Sequence, residues 1–181
     1  MIDADLEEYC KKALESGATH VKQVHPSSVV TAAWVRWKCE FGCPEYGKGY
    51  CCPPHTRMPE ETRALLDCYR RAILFHKEAP KTSERSKSWK PYWDIMVDLE
   101  GDIFKDGFYK AFVLLAGPCR ICKECAKKAG SPTCSFGYRA RPSMEASGID
   151  VFQTARNNGF FIVPLRERND TPNVFSLMLI D

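Results

Sequence analysis

Apolar residues recur along the chain with two periods, one near 3.6 and one of 2, and each period predicts an element. Leu6, Tyr9, Cys10 and Leu14 share one face of a helix that Asp3 or Asp5 can cap and that Gly17 ends after Ser16. His20 to Val24 then reads as a short strand. After Pro26 a second β-favouring segment ends in Ala33-Trp34-Val35-Arg36-Trp37-Lys38. Alternation there sends Trp34, Arg36 and Lys38 one way, Val35 and Trp37 the other, and would deliver Cys39 at a strand end.

Pro59, followed by Glu60 and Glu61, opens a helix to about Tyr69 with Leu65, Leu66 and Tyr69 inward. Arg71 to His76 reads as a buried strand, with His76 a hydrogen-bonded residue at its end. Pro80 to Lys90 is a polar, basic loop. Trp89 to Phe104 has helical spacing, with Pro91 in the first turn and Gly107 beyond the end. Phe108 to Ala116 is the most continuously apolar strand and belongs at the sheet centre, since it is apolar on both faces. Ser143 or Ser147 can cap short turns, and Ile149 to Asn157 is helical, stopped by Asn158-Gly159. Phe160 to Val163 and Asn173 to Ile180 are two further strands. The expected fold is α+β: a small mixed sheet flanked by helices, in a single domain over residues 1–181, with cysteine-rich loops at strand ends.

Composition narrows this picture. With 181 residues and 44% apolar content the chain can bury one core. Its N-terminus is acidic where a secretory signal would be basic, and no run approaches the ~20 apolar residues of a membrane helix. A cytoplasmic location without membrane contact is expected. Thiols stay reduced there, so ten cysteines point to metal ligation ahead of disulfides. A net charge of +3 is too small to imply nucleic acid.

The chemistry concentrates in two stretches. Cys119, Cys122 and Cys125 are separated by two residues each, the close triplet with which ferredoxins hold three corners of a 4Fe-4S cube, and Cys134 can close that site. Lys123, Lys127 and Lys128 run through the triplet and would offset the charge of a thiolate-bound cluster. The other stretch, Cys39-E-F-G-Cys43-P-E-Y-G-K-G-Y-Cys51-Cys52-P-P-His55, is too rich in glycine and proline for regular structure and suits a loop wrapped around an inorganic core. Cys39, Cys43 and Cys52 have the separation of cube corners. The fourth ligand is open between Cys51, His55, Cys68, a residue of the other motif, a small molecule, or none. Adjacent cysteines rarely both reach one cluster, which makes Cys51 a neighbour of the site. Cys10 reads as a small buried hydrophobe and Cys68 as a core or surface thiol. Arg139, Arg141 and Glu145 are charged groups near the second site, either surface residues or an anchor for an anion. No phosphate loop, G-x-G-x-x-G or H-E-x-x-H occurs, so hydrolytic and nucleotide-dependent chemistry lack support.

Three motifs, Cys39-x3-Cys43-P-x-Y-G-x4-Cys52-P-P, Y-K-A-F-V-L-L-A-G-P-C-R-I-C-K-E-C and P-S-M-E-A-S-G-I-D-V, resemble the predicted metal-binding protein family known as domain of unknown function 2284. The resemblance implies cysteine-bound metal, with iron-sulfur chemistry and a setting in anaerobic metabolism. Two functions follow as expectations. One is an electron carrier with two 4Fe-4S clusters serving a redox partner protein. The other is an enzyme or activation factor whose three-cysteine cluster exposes an iron to a small molecule. Structural zinc is the third reading, though C-x2-C-x2-C crowds three ligands where zinc sites pair two knuckles.

Overall fold

A computed structural model of the chain describes residues 3–79, 85–167 and 170–181. Five helices and four strands follow one another as α1 (Ala4–Glu15), β1 (His20–Val24), α2 (Ala33–Gly42), α3 (Pro59–Leu66), β2 (Ala72–Glu78), α4 (Arg85–Lys105), β3 (Phe112–Leu114), α5 (Val151–Asn157) and β4 (Asn173–Leu179). The strands form one sheet in the order β1-β2-β4-β3. The α+β expectation holds, but all three ladders are antiparallel, so the sheet is not mixed. Its parallel component among the described residues is an isolated bridge between Leu115 and Ser143.

Both faces of this sheet are covered, which explains strands that read as continuous apolar runs. Side chains alternate between two cores. Ile73, Phe75, Val113 and Met178 meet Leu6, Tyr9 and Cys10 of α1 and Met96, Leu99 and Ile103 of α4. Leu74, Leu114, Leu177 and Leu179 meet Leu66 of α3, Ala155 of α5, and Met144 and Ile149 from the connecting chain. Cys10 is 3% exposed within the first core, a buried hydrophobe as its spacing predicted.

Four expectations are corrected. Ala33 to Lys38 is helical: Val35 and Arg36 are buried while Trp34 and Trp37 stay outside, a 3.6-residue pattern that β-favouring side chains had disguised. Phe108 to Ala116 shrinks to three residues of strand at the sheet edge, because a turn after Gly107 (φ +103°) holds Phe108 to Lys110 and β4 takes the central place. Phe160 to Val163 has no ladder partner among the described residues. The helix α4 starts at Arg85, so Pro91 lies inside it and only residues 80–84 of the expected loop remain, outside the described residues. His76 is hydrogen-bonded as expected, its Nε2 2.7 Å from Asn173 Oδ1 and its Nδ1 3.0 Å from His20 Nδ1. Among the described residues no helix is long and apolar enough to cross a membrane.

Candidate metal centre

The first cysteine loop leaves a helix, not a strand. Cys39 sits in the last turn of α2, and Cys43 caps that helix, its N–H donating to Cys39 O at 3.2 Å. The chain then folds back through tight turns: Gly47, at φ +72°, donates to Pro53 O at 2.8 Å, and Cys52 N donates to Gly49 O at 3.2 Å. A left-handed residue at that reversal favours glycine. Arg36 closes the loop from beneath. Its buried guanidinium donates through Nη1 to Thr56 Oγ1 at 2.7 Å and to Ala146 O at 2.8 Å.

The second loop does emerge from a strand, β3, as the sequence predicts. Gly117 turns the chain at φ +67° and donates its N–H to Glu145 Oε2 at 3.4 Å. Residues 117–141 then contain no helix or strand, only turns such as Ser131 N to Ala126 O at 2.9 Å. An ion pair holds the far end: Arg141 forks onto Glu100 with Nη2 2.6 Å from Oε1 and Nε 2.9 Å from Oε2, both side chains largely buried. Glu100 also accepts from Val113 N at 2.8 Å, which ties the loop's exit to α4 and β3 together. Arg139 is engaged by Asp98 at 2.7 Å and Asp94 at 3.4 Å. Neither arginine is left to anchor an anion; both are structural pins.

The two loops are fastened to each other. Tyr50 donates its hydroxyl to Ser131 O, Lys127 Nζ stands 5.5 Å from the centre of the Tyr50 ring, and Lys128 meets Glu45 at 3.6 Å. At Gly49 the backbone runs so close that an added Cβ would lie 3.9 Å from Cys125 Sγ. Between the loops is a cavity of about 750 Å³ walled by Cys51, Cys52, Cys119, Cys122, Cys125 and Cys134.

Thiol electrostatics divides these cysteines. A hydrogen bond from Cys51 holds Cys119 down to about 6 despite burial, while the same bond, burial and the neighbouring sulfurs push Cys51 strongly up. Cys51 and Cys119 therefore act on each other as a pair, with Cys119 favoured toward the thiolate and Cys51 toward the thiol. Cys122 is raised by burial and then by Cys134, Cys119 and Cys125. Cys52 is pushed up to about 11, by burial first and then by Cys43, Glu45, Cys39 and Cys119, so it faces both groups. Cys39 is raised by burial and by Cys43, with Arg36 opposing. One group thus contains Cys119, Cys122, Cys125, Cys134 and Cys51; the other contains Cys39, Cys43 and Cys52.

The candidates for a fourth ligand fall differently. Cys51 joins the opposite group. His55 is exposed, its ring 5.9 Å from that of Tyr50. Cys68 is exposed beyond α3, 3.4 Å from Ala64 O, and borders a separate cavity of about 730 Å³ that also reaches Cys51 and Cys134. A third cavity, of about 540 Å³, opens onto Cys39 and Cys43. All ten cysteines are free thiols. Among the described residues, no three His, Cys, Asp or Glu side chains are gathered as a ready set for a single ion. Sequence reasoning missed the roles of Cys51, Arg36 and Tyr50. The one available signal was Tyr50, a residue whose apolar ring and polar tip suit a contact between loops.

An all-thiol donor set spread around a cavity and interleaved with lysines fits a metal-sulfur group better than a hard cation, which takes oxygen ligands. No curated protein and no solved structure shows significant similarity to the chain. The family described as predicted metal-binding protein (DUF2284) matches residues 22–180, and the chain belongs to that family.

Proposed function

We propose that the chain is a single iron-sulfur domain over residues 1–181 that holds two 4Fe-4S clusters and passes electrons to a redox partner protein in the cytoplasm. Cys119, Cys122, Cys125 and Cys134 would hold one cluster, and Cys39, Cys43 and Cys52 the other. When bound, such clusters supply one-electron redox chemistry at a potential set by charge, hydrogen bonds to sulfur and exposure. The observation that carries the reading is the joining of two sequence-distant cysteine loops around one thiol-lined cavity. Cys52, facing both groups, sits where electrons would cross between them. Protein groups then do the tuning: Cys51 donates toward Cys119, Lys123 and Lys128 border the cavity, and Arg36 lies near Cys39.

A specific observation favours a second reading, an enzyme or activation factor with an exposed iron. The Cys39 group contains three thiols, and the cavity of about 540 Å³ ends on two of them. Structural zinc is the weaker account. Four thiolates at about 2.3 Å from one ion must lie roughly 3.8 Å apart, whereas a cube spreads its ligands over four irons. Preparation without oxygen, with iron, zinc and acid-labile sulfide counted per chain, tests these readings together. About eight irons with matching sulfide are expected. Zinc without sulfide in a folded protein would end the iron-sulfur proposal.

A further inference from the structure

We propose that the cavity between α2, α5 and the segment from Ile162 to Pro164 binds a small organic carboxylate, with its apolar or aromatic body lying toward the wall formed by Cys39 and Cys43. This deepens the exposed-iron reading and rests on it only for what occupies that wall; the cavity and its charges belong to the folded chain itself. At about 540 Å³ it lies within the range of small-molecule sites. Trp34, Phe152, Ile162 and Phe175 supply an apolar lining of the kind that holds a ring or a branched chain.

The polar lining decides the class of ligand. Lys38 has its Nζ 5.7 Å from the centre of the Trp34 ring, and Arg156 donates through Nη2 to Ile162 O at 3.2 Å while lying over Phe152. Among the described residues neither cation meets a carboxylate. Arg57, Arg63, Arg71, Arg139 and Arg141 all do. The acids on the same wall are already engaged, since Glu145 accepts from Gly117 N and Asp150 accepts from Gln153 N at 2.9 Å. The amides are too: Asn173 is bonded to His76 and Thr171, and Gln153 to Asn157. The two acids balance the two cations in formal charge, but each acid is held by a backbone N–H, whereas Lys38 and Arg156, both exposed, have no carboxylate partner among the described residues and are the groups placed to receive one. The 730 Å³ cavity makes no such demand, because its Arg57 is paired with Glu61 at 3.3 Å.

Calorimetric titration of the anaerobically prepared protein, with iron counted in the same sample, tests this. Phenylacetate, benzoate and isovalerate are compared with their neutral amides. At least one acid should bind saturably, its amide at least about tenfold more weakly, and Arg156→Gln and Lys38→Gln should each weaken the acid about tenfold, roughly 1.4 kcal/mol, at unchanged iron content. Arg57→Gln should leave binding alone. Equal binding of acid and amide, an Arg57→Gln effect as large as that of Arg156→Gln, or no saturation by any acid below about 10 mM overturns the proposal. A sample without iron that still selects acids over amides would overturn the iron-sulfur reading and uphold the site. A fully loaded sample without that selectivity would do the reverse.

Discussion

The two cysteine groups differ in number and in setting. The group around Cys119 has five thiols, among them Cys51, whose proton is held more tightly than usual, with lysines bordering its cavity. The group around Cys39 has three, backed by a buried arginine and bordered by an apolar cavity. A site with a surplus of sulfur holds its metal and adjusts it; a site short of one ligand leaves room for something else. If both groups hold clusters as proposed, the first would be a tuned centre and the second an accessible one, and the difference can be tested group by group.

The largest effect should come from removing a ligand. Cys122→Ser and Cys43→Ser are each expected to lose about half of the iron, with the other half and its spectrum retained. Loss of all iron from either variant would show that the groups are not separate. Next is the pin beneath each loop. Glu100→Ala strands Arg141 in a largely buried position and should cost about 3 kcal/mol in denaturant unfolding. Arg36→Ala removes charged hydrogen bonds to Thr56 and Ala146 and should cost about 2 kcal/mol. Hydrogen exchange should report the loosening at residues 117–141 for the first variant and at 43–56 for the second. Tyr50→Phe removes the bond to Ser131 and should lower stability by about 1 kcal/mol with iron intact. The subtlest is Cys51→Ala: full iron, but a lower reduction potential for the Cys119 cluster alone, since a donor to its sulfur is lost. Loss of iron from Cys51→Ala would instead make Cys51 a ligand.

Local periodicity carried much of the architecture. α1, α3, α5, β1, β2 and β4 were legible because each has a one-sided or fully apolar pattern bounded by glycine, proline or a capping acid. α2 was not, because tryptophan and valine favour strands and the deciding contacts, from Arg36 to Thr56 and Ala146, are long-range. The edge position of β3 was hidden for a similar reason: a sheet covered on both faces makes even an edge strand look central. At the candidate metal centre, spacing singled out the triplet and the loop of glycines and prolines. Cys51 was discounted by its adjacency to Cys52. Only the contact between loops sets Cys51 against Cys119 and leaves Cys52 facing both groups, and no local signal encodes that.

The fastening of the loops through Tyr50 and Ser131 has a consequence for biosynthesis. Cys51 and Cys119 stand 68 residues apart, so at ribosomal speeds roughly 3–14 s separate their synthesis. Four thiols of the earlier loop wait through that interval without their counterpart. On the iron-sulfur reading proposed above, a site that needs both loops would be filled only after the second is made, and until then the thiols of the first would stand without the contacts that the second provides.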